Sequence, residues 1–135
     1  MKKLSLLFLI LVSLFVFACS KQERSEKFKL LTTPVWASDS LLANKQDASG
    51  PGGLLEKFKG DAKFKDDGTG TFGSYVGQWA FNKTETEITI LSDSLQFPVI
   101  CDIVELKSTS LKITTVVPDK NTLVPIDIRM TFKAK

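Results

Sequence analysis

Pro125-Ile126-Asp127-Ile128-Arg129-Met130-Thr131-Phe132-Lys133 decides how this chain folds. Ile126, Ile128, Met130 and Phe132 fall on one side of an extended strand, and Asp127, Arg129, Thr131 and Lys133 on the other. A period of two with apolar and polar faces belongs to a strand that has one side in a core and one in water. Val124 extends the apolar row by one residue.

The same alternation recurs upstream. Ala62 and Phe64 oppose Lys63 and Lys65, Trp79 pairs with Phe81, Ile88 with Ile90, and Leu111 with Ile113. Strands are expected near residues 34–42, 61–66, 69–75, 77–82, 86–92, 97–106, 110–117 and 123–133. Asp66-Asp67-Gly68 is the strongest turn, because Asp-Gly tolerates the positive φ that a tight hairpin needs. Short polar links at 82–85, 92–94, 107–109 and 118–121 require successive antiparallel pairing, since a parallel crossover needs a dozen or more residues. Within 97–106, Val99, Cys101 and Ile103 compete with Ile100, Val104 and Leu106 for the inner face, which predicts a bulge or a strand covered on both sides. Gly53–Gly60 places Leu54, Leu55 and Phe58 on one side of a short helical turn. The segment 43–60 could serve as a lid over a barrel mouth or as a simple cover for an open end.

The N-terminus carries a different message. Lys2 and Lys3 precede an apolar-plus-serine run from Leu4 to Phe17, then Ala18 and Cys19. The run is too short to span a bilayer, which takes roughly 20 residues, and has the layout of an export signal. Val16-Phe17-Ala18-Cys19 resembles a bacterial lipobox, with Phe17 departing from the usual small residue. The resemblance implies a signal peptide at 1–18, acylation of Cys19 and attachment to a membrane. Ser20 in place of Asp points to the periplasmic face of the outer membrane. Residues 19–29 read as a solvated tether and 30–135 as one domain.

Composition excludes several functions. Losing Lys2 and Lys3 takes the 18 basic residues to 16, against 15 acidic, and the signs alternate along the chain. No field exists to hold nucleic acid. The chain has no histidine, which removes Ser-His-Asp and Cys-His catalysis and the commonest zinc ligands. Asp102 and Glu105, three apart on a strand, point to opposite faces unless a bulge intervenes. Cys101 beside Ile100 and Asp102 lacks the basic neighbours of a reactive thiol and reads as packing. No enzyme activity, cofactor or metal is expected.

Leu30-Leu31-Thr32-Thr33-Pro34-Val35-Trp36, Phe64-Lys65-Asp66-Asp67-Gly68-Thr69-Gly70-Thr71-Phe72 and Gly77-Gln78-Trp79-Ala80-Phe81 resemble the lipocalin-like domains of secreted bacterial lipoproteins. Pro34 stands where those folds usually have glycine. The resemblance covers about residues 30–135 and implies an all-β, antiparallel up-and-down barrel of about eight strands, with Trp36 plugging its floor. Such a barrel is either filled by side chains or just wide enough for one small ligand. Candidate interior residues for a small apolar ligand or lipid are Trp36, Phe64, Phe72, Trp79, Phe81, Ile88, Ile128 and Met130. The chain is expected to act as a monomer. The alternative function is an envelope protein-interaction module or inhibitor working through the loops at 43–53 and 118–122.

Overall fold

The computed structural model describes residues 24–135; the signal segment and Cys19 lie outside the described residues. A short helix, α1 (Glu26–Thr32), leads into β1 (Trp36–Ala43), β2 (Gln46–Asp47), a 3-10 turn (Glu56–Phe58), β3 (Asp61–Phe64), β4 (Thr69–Phe72), β5 (Tyr75–Phe81), β6 (Glu87–Ser92), β7 (Val99–Leu106), β8 (Ser110–Pro118) and β9 (Pro125–Ala134). Every pairing is antiparallel between neighbours, and β1 also pairs with β9 from Trp36↔Ala134 to Ala43↔Ile128. That pairing closes β1 and β3 to β9 into an eight-stranded barrel. The two-residue β2 folds back on the end of β1 through Asn44 and Lys45, both at positive φ.

Local chemistry explains the joints. Gly68 sits at φ 86 in the β3–β4 turn. The Asp67 carboxylate there accepts hydrogen bonds from the Thr69 amide and hydroxyl at 2.9 and 2.6 Å. A register shift between Ile103 and Glu105 resolves the ambiguous seventh strand. Before it Val99 and Cys101 face the core and Ile100 faces solvent; after it Leu106 turns inward. A second shift, between Ser38 and Ser40, lets both Trp36 and Leu41 face inward on β1.

Three expectations are corrected. Residues 26–29 belong to α1 and are no solvated tether: Ser25 caps the helix by accepting the Phe28 amide at 3.1 Å, and Leu31 is fully buried. Leu30-Leu31-Thr32 therefore lies in this helix, and the first strand starts at Trp36 itself. Leu54 does not share a buried face with Leu55 and Phe58; only a single 3-10 turn forms, and Leu54 is 53% exposed. Val124 is also exposed, because β9 begins one residue later. Among the described residues no helix is long and apolar enough to cross a membrane.

Candidate functional site

Because strand direction alternates, the barrel has two distinct ends. The β3–β4, β5–β6 and β7–β8 turns gather with α1 at one end, the floor. The β1–β2, β4–β5, β6–β7 and β8–β9 connections gather at the other, the mouth, together with residues 48–60.

The floor is sealed by polar bonds laid over apolar packing. The Trp36 indole N–H donates to the Leu31 carbonyl at 2.9 Å. The Lys63 ammonium donates to the carbonyls of Thr32, Thr33 and Pro34 at 2.5, 3.1 and 3.3 Å. These carbonyls have no helical partner of their own, and a cation at a helix C-terminus is favourable. Phe28 of α1 lies 5.5 Å from the Trp79 ring. Trp79 continues an edge-on cluster with Phe64 at 5.6 Å and Phe81 at 5.3 Å, and Phe64 meets Phe72 at 5.2 Å. The Trp79 N–H donates to the Lys65 carbonyl at 2.9 Å.

The mouth is covered by residues 48–60. Leu55 and Phe58 are buried, and the Phe58 ring lies 4.7 Å from Tyr75 at the start of β5. Beneath Phe58 a cavity of about 10 Å³ remains, lined by Phe58, Ala62, Phe64, Phe72, Ile90, Ile113, Met130 and Phe132. That is room for about one water. The barrel is thus filled by its own side chains, Phe58 included. A larger hollow of about 580 Å³ lies outside, a groove open to solvent across Leu42, Asp102, Thr114 and Arg129. Its outward-facing residues do not belong to the interior.

Of the eight interior candidates, Trp36, Phe64, Phe72, Trp79, Ile88, Ile128 and Met130 are buried and Phe81 is half-buried. Only Phe64, Phe72 and Met130 border the cavity. Trp36, Trp79 and Phe81 belong to the floor. Ile90, Ile113 and Phe132, expected to face inward by alternation, complete the cavity wall. Phe58 is not one of those eight; the short turn at 53–60 places it on an apolar side, but no strand alternation points it into the barrel.

Glu105 and Cys101 are accounted for by their structural surroundings. The bulge puts Asp102 and Glu105 on the same outer face. Glu105, however, accepts from the Ser110 hydroxyl at 2.6 Å and pairs with Lys107 at 3.1 Å and Lys112 at 3.6 Å. The Ser110 hydrogen bond, then the lysines, hold its carboxyl below the usual range. Burial, with a smaller contribution from Asp102, pushes the Cys101 thiol up to about 12. Among the described residues no buried side-chain polar atom lacks a partner, and no cluster of His, Cys, Asp or Glu could hold a metal ion.

No family model matches the chain. No curated protein matches it either. Among solved structures it is similar to bovine odorant binding protein, determined in complex with a selenium-containing odorant. The TM-score is 0.54 at 16% identity, over 85% of this chain and 76% of that one. The fold is lipocalin-like. At this identity the likeness concerns the fold alone.

Proposed function

We propose that this protein is a membrane-anchored, non-catalytic lipocalin-like lipoprotein that holds one small apolar molecule or lipid in its barrel. The observation that carries the reading is an interior without a free polar group. Below Phe58 its wall is Ala62, Phe64, Phe72, Ile90, Ile113, Met130 and Phe132, and every buried polar side-chain atom described is already satisfied. A guest there is recognised by shape and apolar contact. Bovine odorant binding protein, determined in complex with an odorant, is consistent with that use of the fold. The anchor is acylated Cys19, at the periplasmic face of the outer membrane. The chain reaches the barrel floor through Arg24, so the mouth points away from the bilayer.

Native mass spectrometry of the mature protein from its own envelope tests both parts. The expected result is a retained apolar mass together with an acyl-sized increment on Cys19, and Cys19→Ser should release the protein from membranes. A bare protein that gives no saturable response to apolar probes overturns the binding role.

A second reading, docking of another envelope protein at the mouth, is favoured by apolar side chains left in water on that rim. Leu54, Phe97 and Leu123 are 53%, 47% and 78% exposed. Cross-linking in intact cells that yields a discrete protein adduct, with lipid adducts absent, would favour this reading over the first.

A further inference from the structure

We propose that residues 48–60 form a hinged strap, and that Phe58 is an internal stand-in for the guest: the barrel takes up a phenyl-sized or short acyl group by exchanging it for this ring. The inference rests on the binding role proposed above.

The strap is a self-contained unit. Most of its backbone–backbone hydrogen bonds are internal: Gly53 to Gly50, Leu55 to Ala48, Glu56 to Gly53, Phe58 to Leu55 and Lys59 to Glu56. The Gly52 amide is also held by the Glu56 carboxylate at 3.0 Å. Its backbone bonds to the barrel cluster near the two ends of the segment. The Ala48 amide donates to Leu41 at 2.9 Å. At the other end Ser74 donates to Lys57 at 2.7 Å and Ser38 donates to Gly60 at 3.0 Å. Such a unit can lift as a body without breaking a strand pairing of the barrel.

Packing beneath the strap is tight but incomplete. Ala48, Leu55 and Phe58 are its only buried side chains, and the residual cavity lies directly under Phe58. Removing that ring would add its own volume to a space already walled by seven other apolar residues. The vacated site has no hydrogen-bonding group free to orient a polar guest, which restricts the guest to an uncharged aromatic or acyl moiety.

The latch is Gly73 in the β4–β5 turn, at φ 61. A side chain there would collide with the backbone of Lys57, Phe58 and Lys59. Glycine is what lets the strap settle onto the barrel. An alanine at this position must push residues 57–59 outward.

The test uses the full chain and toluene, followed by the Met130 and Ile113 methyl resonances. Wild-type protein should bind it saturably. A Lys57→Cys/Ser74→Cys pair, oxidised across the Ser74–Lys57 contact, should weaken binding by about tenfold or more, and reduction should restore it, because locking removes the competent population. Gly73→Ala should act in the opposite direction, with faster amide exchange at Leu55 and Phe58 and tighter toluene binding. Equal binding by locked and reduced protein overturns the strap while leaving the binding role intact. A wild-type protein and a folded Gly73→Ala variant that both ignore toluene overturn the two together.

Discussion

The two ends of this barrel are closed by different physics. At the floor, helix α1 brings Leu31 into the core, Trp36 ties its indole N–H to the Leu31 carbonyl, and Lys63 holds three further carbonyls. At the mouth, one aromatic ring on a largely self-bonded strap rests over a small void. The floor couples directional hydrogen bonds to complete burial, so it has no alternative arrangement of similar energy. The mouth depends on non-directional apolar contact, which another apolar group could replace. The barrel is built as a cup with a fixed base and a replaceable stopper.

The base should be the most sensitive part of the barrel. Trp36→Ala should cost about 3–5 kcal/mol, the range for removing a buried aromatic, because Leu31, Phe132 and the β1–β9 ladder around it cannot collapse onto the hole. The Leu31 carbonyl also loses its donor. Urea denaturation should show the midpoint falling with little change in slope. Phe58→Ala is the matched change at the mouth. It should cost less, about 1–2 kcal/mol, because the gap opens towards solvent and can be filled from it. Equal losses at the two ends would mean that the strap is as fixed as the helix.

Cys101 measures how dry the wall on the floor side is. It faces Ile88 across the β6–β7 ladder and is fully buried. Its thiol is raised from 9.0 to about 12. A folded-state value above the unfolded one favours the folded protein fully at lower pH, and the benefit fades as pH climbs. Stability should therefore fall by about 1 kcal/mol per pH unit between roughly pH 9 and 12. Cys101→Val should remove that fall, leaving only the contribution of other groups. Below pH 9 the folded thiol should stay inert to disulfide reagents and become reactive on unfolding. Ready reaction in folded protein would show that water reaches this wall.

What could be read in the sequence follows the same division. Alternation exposes the strands, since a wall residue must be apolar at every second position, and the competing patterns in 97–106 allow a bulge or a strand covered on both sides, of which the structure has the bulge. The Asp-Asp-Gly turn was legible because few residues accept its backbone. α1 is not legible despite its Ser25 cap: seven residues rich in charge present too little periodicity, and Leu30-Leu31 leading to Trp36 reads equally well as a strand. Pro34 removes a backbone donor two residues past the helix and separates it from β1, which was the available clue. Interior positions followed from pattern, but which of them border the remaining cavity depended on where Phe58 inserts. That is a tertiary fact carried by one loop residue.

The smallest expected effect concerns charge at the base. Arg24 pairs with Asp66 at 3.3 Å, donates to the Asp66 carbonyl at 3.2 Å and lies 4.7 Å from the Phe28 ring centre. Both side chains are well exposed, at 49% and 70%. Solvent and salt screen such a pair, so Asp66→Asn should change stability by no more than about 0.5 kcal/mol, and less at high ionic strength. Arg24→Ala should cost slightly more, because it also uncovers the Phe28 face. A loss at Asp66 comparable to that at Trp36 would mean the helix is pinned by its charges and that Leu31 merely follows. The geometry argues the reverse order: burial of Leu31 and the indole bond fix α1, and the Arg24–Asp66 pair forms because the helix is already there.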